Sequence, residues 1–370
     1  MGIKSSITNN LKNIIGKSVK YKYVIIESDD WGSIRMPSVK AYHNLAKKNV
    51  NLVSGDADRY NRTDTLAGPE DFEALYDVLS KFRDADGNHP VFTAMSVVAN
   101  PNFDKIKEEN FEKYFYEPFP LTLERYNKSA AIKYWKEGIE MRLFVPEFHG
   151  REHLNVSVWM RALQNGDEST HAAFMEGCWG FRTNNRFNIN YQAAFDLEYE
   201  EDLVYQKEVL DTGLDLFKKI HGYSASVFVP PNGPFNRQLE KVVKVKGVNY
   251  IGAAKVQKEP KGQGKIKKHY HWLGKKNNVG LIYLTRNAFF EPNAGGKDWV
   301  SSCLNDINYA FKWNKPAVIS SHRTNYIGSL DSKNRKESLV QLKTLLETVL
   351  KKWPDVRFIT TGQLGNILKD

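Results

Sequence analysis

Eight short apolar runs rich in β-branched and aromatic residues recur along this 370-residue chain, and between them the apolar positions switch to a helical period. The runs are YKYVIIE (21–27), PVFTAMSVV (90–98), MRLFVPE (141–147), SASVFVP (224–230), VNYIGAA (248–254), VGLIYLT (279–285), KPAVISS (315–321) and VRFITT (356–361). Helical patterns lie at 70–84, 121–140, 154–164, 199–221, 234–246, 300–313 and 333–352, the last with Leu339, Leu342, Leu345, Leu346 and Leu350 on one stripe. Strands that alternate with helices imply parallel strands joined by right-handed crossovers. Seven or eight of them predict an α/β fold of the (β/α) barrel kind, closed or incomplete. No Gly/Ser linker divides the chain and no internal repeat is visible. One domain is therefore expected over 1–370, with its core over about 20–370, insertions near 35–68, 100–140 and 165–198, and a short closing helix in GQLGNILKD.

Composition narrows the class. Aromatic residues make up 12% of the chain, which argues against disorder. The two cysteines, Cys178 and Cys303, match no metal spacing and exclude a disulfide scaffold. No stretch approaches the ~20 apolar residues of a membrane span. The N-terminus carries no apolar segment followed by a small-residue cleavage site, so the expected compartment is the cytoplasm. Lysines beside Leu11, Ile14 and Ile15 predict a short docking helix, with a membrane-surface helix as the alternative. Of the net charge of +10, a balance of +7 falls between Lys255 and Lys276. So local a cluster, in a Gly/Pro-containing stretch, predicts a solvated loop or a lip that attracts an anionic substrate, and not a nucleic-acid face.

In barrels of this kind reactive groups gather where strands end. Three ends stand out. After the first run, ESDDWGS places Asp29 and Asp30 side by side, and Gly32 supplies a turn; on an extended backbone adjacent side chains point to opposite sides. One carboxylate can then bind a metal while the other acts as a base; the alternative is an exposed Asp-rich turn. After the third run, PEFHGREHLN separates His149 and His153 by three residues. Gly150 disfavours a helix interior, so His149 is expected to end a loop and His153 to sit in the first helical turn, converging on one ion. After the seventh run comes His322, a structural hydrogen-bonder or a proton carrier. Two histidines and one carboxylate leave open positions on a divalent ion, and one carboxylate and one histidine remain for proton transfer. Metal-assisted hydrolysis requires this set.

The order ESDDWG, HGREH, FVPPNG, KDW and SSH resembles the polysaccharide deacetylases of the NodB-like type, whose pattern runs TFDDG, H-S/T-x-x-H, R-P-P-Y-G, D-x-x-D-W and L-x-H on a distorted (β/α)7 barrel. The resemblance spans roughly residues 20–370. It implies Asp29 as base, Asp30, His149 and His153 as ligands of zinc or a related divalent ion (Co, Mn or Ni), His322 as acid, and Asn232 in the segment that stabilises the oxyanion. The substrate it implies is a carbohydrate. Three departures stand out. The arginine of the third motif is Val229, so another arginine must hold Asp29; Arg286 is the first candidate and Arg323 the second. The fourth motif keeps Asp298 and Trp299 but has Gly295 for its first Asp. The leucine of the last motif is Ser320, which points to a remodelled acyl pocket. Trp31, Trp159, Trp179, Trp272 and Trp299 neighbour the motifs as candidate sugar platforms or core residues. The expected activity is removal of an acyl group from an amino sugar or O-acylated saccharide; the alternatives are an inactive saccharide-binding relative and an amidase on a non-sugar substrate.

Overall fold

The computed structural model describes residues 10–54 and 57–369. All eight apolar runs form strands: β1 (Tyr23–Trp31), β2 (Phe92–Ser96), β3 (Phe144–Phe148), β4 (Val227–Phe228), β5 (Tyr250–Gly252), β6 (Ile282–Leu284), then, after an unforeseen β7 (Ala288–Phe289), β8 (Ala317–His322) and β9 (Arg357–Phe358). They make one sheet in the order β6-β5-β4-β3-β2-β1-β8-β7, with β9 on the first residues of β1. Every pairing is parallel. The two edge strands, β6 and β7, are joined by Thr285–Asn287 alone, so their facing ends lie no more than about 14 Å apart along the chain. The sheet therefore curls into a distorted (β/α) barrel with one narrow seam.

Period-two alternation decides which side chains enter the barrel. On β1, Tyr23 and Ile25 belong to an inner cluster with Met95, Val227, Val318 and Leu284. Val24 and Ile26 belong instead to the outer cluster, packed beneath the helices with Leu342, Leu345 and Leu346. Extended by parity, the inward set continues to Glu27 and Asp29 on β1, Ser320 and His322 on β8, Glu147 and His149 at the end of β3, and Arg286 beyond β6. Leu364 and Leu368, from the closing helix Thr361–Ile367 and its end, fill the opposite mouth.

Several boundaries differ from the sequence reading. β1 continues past residue 27 to Trp31, through a bulge between Ser28 and Trp31 in which Asp30 takes φ +76°. The helix expected over 121–140 is two, Phe119–Arg125 and Ala131–Glu140, because Asn127 turns left-handed at φ +57°. The pattern at 234–246 begins as a 3-10 turn, Arg237–Leu239, before Glu240–Val245. The lysine-rich stretch is not a loop but an antiparallel ribbon, Val256–Pro260 with Ile266–Tyr270. The N-terminal helix at 10–14 docks through polar groups: Asn287 Nδ2 donates to Asn13 Oδ1 (2.8 Å) and Trp313 Nε1 to Asn10 Oδ1 (3.0 Å), while Leu11, Ile14 and Ile15 stay exposed. No helix among the described residues is long and apolar enough to cross a membrane.

Gly32 closes the bulge at φ +82°, and a Cβ there would stand 2.5 Å from the carbonyl oxygen of Val97. Gly32→Ala is therefore expected to destabilise the fold by about 1–3 kcal/mol, read as a lower urea midpoint at unchanged m value.

Candidate active site

The inward set meets at the C-terminal mouth of the barrel, around a cavity of about 640 Å³. Asp29, Asp30, His149, His153, Arg286 and His322 all line it. Asp29 enters by parity. Asp30 would face the helices on an unbroken strand; its left-handed backbone turns it back towards the mouth. That conformation costs a non-glycine residue roughly 1–2 kcal/mol, a strain of the kind held at functional positions.

Asp30 is the hub of a buried cluster. Its Oδ1 lies 3.5 Å from His149 Nε2 and 3.0 Å from His153 Nε2. One ligand atom from each residue falls within 4.8 Å of the others. His149 Nδ1 donates to the Val229 carbonyl (2.7 Å), which fixes the tautomer so that Nε2 is the nitrogen turned towards Asp30. Burial holds His153 below the usual imidazole range despite the pull of Asp30. His149 in that tautomer sets acceptor against acceptor at Asp30, which a cation between them would relieve, whereas His153, whose Nδ1 has no partner, can donate from Nε2 to Asp30 Oδ1. The donor set, two nitrogens and one oxygen, fits zinc and related divalent ions. The His153 Nδ1 is buried with no partner, so only one of the two imidazoles has its outer nitrogen anchored. His153 sits in the loop before the cap Asn155 of helix Val156–Gln164, not in the first helical turn as expected, because that helix starts three residues later.

Asp29 is gripped by Arg286, whose Nη1 donates to Oδ2 and Nη2 to Oδ1, both at 2.6 Å. Arg286 Nε donates to Glu27 Oε2 (2.5 Å) and Nη1 also to Ser320 Oγ (3.1 Å). Burial opposes ionisation of Asp29, but the guanidinium charge and its hydrogen bonds outweigh it and hold the carboxyl below its ordinary range. Arg323, the second candidate, lies elsewhere: it is fully buried on Asp64, with Nη2 2.9 Å from Oδ1, and donates to the Ser33 carbonyl. Parity explains this, since residue 323 follows an inward His322.

His322 is paired with Asp29 in the β1–β8 register, so its Nε2 lies beside Asp29 Oδ2 at 3.8 Å. The two therefore stand side by side. His322 Nδ1 donates to Glu291 Oε1 at 2.5 Å. Burial would lower the imidazole pKa, but the Glu291 charge and hydrogen bond, with help from Asp29, raise it to about 9. Asp298, kept from the fourth motif, caps helix Trp299–Lys312 by accepting from Ser301 N–H (2.9 Å). Glu291 is the carboxylate bonded to His322. It is fixed in turn by Arg59 Nη1 (2.8 Å) and Asn325 Nδ2 (2.9 Å).

Asn232 lies on the cavity rim at φ +54°, the third residue of a Pro230–Gly233 turn closed by Gly233 N–H to the Pro230 carbonyl (3.1 Å). Proline second and a left-handed Asn third are the signature of a type II turn. The tryptophans do not line the cavity. Trp31 is fully buried against Phe72 and Phe144, Trp159 and Trp179 are core residues, Trp272 packs on Lys275, and Trp299 bonds back to the Gly295 carbonyl. Aromatic lining comes from Tyr60, Phe181 and Phe289 instead.

Sequence reasoning missed Glu27, Arg35, Arg59 and Glu291. Arg35 Nη1 lies 3.5 Å from Asp30 Oδ2, with its guanidinium 4.4 Å from the Tyr60 ring centroid. Glu27 was open to the parity argument. Glu291 required seeing β7, whose two residues carry almost no pattern.

No protein-family model matches the chain, and no curated protein matches it. Among solved structures, the chain is similar to a candidate polysaccharide deacetylase from Mycobacterium smegmatis, at 11% identity and a TM-score of 0.45 over 96% of this chain and 95% of that one. It is similar also to a candidate glycoside hydrolase/deacetylase from Parabacteroides distasonis, at 8% identity and a TM-score of 0.48 over 95% and 72%. A third is Puue allantoinase, at 10% identity and a TM-score of 0.44 over 93% and 89%.

In the metal-free protein, His322 titrates near 9 when folded and near 6.5 when unfolded. Its stabilising contribution is thus complete below about pH 6.5 and lost as pH rises through about 9. Glu291→Gln is expected to bring the His322 imidazole NMR titration down towards 6.5 and to flatten that alkaline loss of stability.

Proposed function

We propose that this chain is a metal-dependent hydrolase that removes an acyl group, an acetyl foremost, from an amino sugar or O-acylated saccharide. Its one catalytic domain would span the chain. The observation that carries the reading is the juxtaposition of two devices in one cavity: the Asp30–His149–His153 cluster, and a carboxylate–imidazole pair, Asp29 and His322, each locked by its own partner. A binding module needs no proton-transfer pair.

Asp30, His149 and His153 would hold the ion, zinc foremost, with Co, Mn or Ni as substitutes. When bound, it supplies a polarised carbonyl and a water that loses its proton near neutral pH. Asp29 serves as base: Arg286 keeps it ionised and fixes its plane, while each oxygen retains lone-pair capacity beyond the arginine bond. His322 serves as acid. Glu291 takes its Nδ1 proton as a hydrogen-bond partner, which leaves the Nε2 proton facing the cavity, and the raised pKa keeps that proton in place at pH 7. As base and acid stand side by side, the scissile bond would lie across both. The turn at Asn232 offers a backbone N–H outside the turn's own hydrogen bond as a donor to the oxyanion. Tyr60, Phe181 and Phe289 would face the sugar.

His322→Ala is expected to keep the fold and the metal content and to lower single-turnover release of acetate from acetylated chito- and xylo-oligosaccharides by about 10²–10⁴-fold. Asp29→Asn should do likewise. Equal rates at matched metal content would assign both residues a structural role.

A further inference from the structure

The cavity carries a charge imbalance that acyl hydrolysis does not use. Among the described residues, five cationic side chains line it, Lys12, Arg35, Arg182, Lys255 and Arg286, against two carboxylates, Asp29 and Asp30. Asp29 is matched by Arg286, which also meets Glu27, and Asp30 faces Arg35. A divalent ion on the cluster would make the cavity more positive still. Among the described residues Lys12, Arg182 and Lys255 form no salt bridge with a carboxylate, although the Lys12 charge reaches Asp306.

Two of these three converge on one wall. Lys12 comes from the helix at 10–14, which Asn13 pins to Asn287 in the seam of the barrel. Lys255 lies three residues beyond β5, and its ammonium donates to the backbone carbonyl of Lys12. Lys12 Nζ stands 5.5 Å from the centroid of the Phe289 ring, which lines the same cavity. Burial, with the Lys12 charge added, pushes the Lys255 amine down to about 8. The Lys12 charge acts on the Lys255 ammonium, with Asp306 the carboxylate that also feels Lys12, and an anion seated on this wall would offset the repulsion between the two lysines. The other lysines of the basic stretch do not line the cavity. Five of them lie on the ribbon and its turn, where Lys261 pairs with Glu259, and Lys275 and Lys276 follow it, so the lip expected from sequence reduces to Lys255.

We propose that the wall formed by Lys12, Lys255 and Phe289 is a subsite for an anionic group, carboxylate or phosphate, carried by the sugar whose acyl group is removed. This rests on the hydrolase reading for its position but not for its test. Binding of three probes is measured by calorimetry at low and high salt: N-acetylglucosamine, its 6-phosphate and the corresponding uronic acid. The wild type should bind at least one anionic probe about tenfold more tightly than the neutral one, a preference that salt erodes. Which probe gains separates phosphate from carboxylate. In Lys12→Gln/Lys255→Gln the preference should fall to about one. Lys12→Gln alone keeps the carbonyl that Lys255 uses, so it remains informative if the double variant does not fold, and it should lose part of the preference. Equal affinity of the wild type for all three probes, or a preference that survives in both variants, overturns the subsite. Turnover of the neutral probe by metal-loaded protein tests the hydrolase reading separately. Anion-selective binding without turnover keeps the subsite and sinks the hydrolase, and equal turnover and binding of all probes does the reverse.

Discussion

Arg286 leaves the chain at the seam, where three residues join the two edges of the sheet, and its guanidinium spans the inward carboxylates Glu27 and Asp29. Both carboxylates are buried. Without the arginine each would have to be neutral or leave the barrel, since an unpaired buried charge costs several kcal/mol. The seam is thus what allows β1 to carry acids inside the barrel. Glu27 also accepts from Thr361 Oγ1 (2.9 Å), which ties the closing helix to the same network. On the outside, Asn287 holds the N-terminal helix, so one three-residue connection anchors Asp29, the barrel floor and Lys12.

The departures from the deacetylase pattern make physical sense together. Where that pattern has an arginine, Val229 packs so closely on Gly252 that a Cβ at 252 would lie 2.6 Å from Val229 Cγ2. The holding arginine enters from the seam instead. Ser320, in place of the leucine, gives it a hydrogen-bond acceptor and opens space at the cavity wall. One cation, Arg286, thus bears on both positions at which the sequence differs from that pattern.

Much of this was legible in the sequence because a parallel strand buried on both faces is a long signal with a strict period. Eight strands, and the inward placement of Asp29, His149, Arg286 and His322, follow from counting by two. The rest resisted for stated reasons. The bulge at Asp30 breaks the period at the very residue that matters most, and it sends Trp31 into the core rather than the cavity. Arg323 and Trp299 were chosen for nearness along the chain, but one follows an inward residue and so faces away, and the other sits on an outer helix. Arg35 and Arg59 come from the insertion at 35–68, where nothing periodic links a residue to the barrel mouth. Glu291 depends on β7, which is too short to show an alternation.

The proposed chemistry rests on Asp30, His149 and His153 sharing one divalent ion. The direct measurement is elemental analysis of the purified protein combined with X-ray absorption at the metal edge, on the wild type and on His149→Ala. The account predicts one zinc or zinc-like ion per chain, with two nitrogen ligands at about 2.0–2.1 Å and one carboxylate oxygen at about 2.0–2.2 Å, and loss of the ion in the variant. A chain that stays metal-free in the presence of zinc, cobalt, manganese and nickel, or one whose ion survives His149→Ala unchanged, would contradict it.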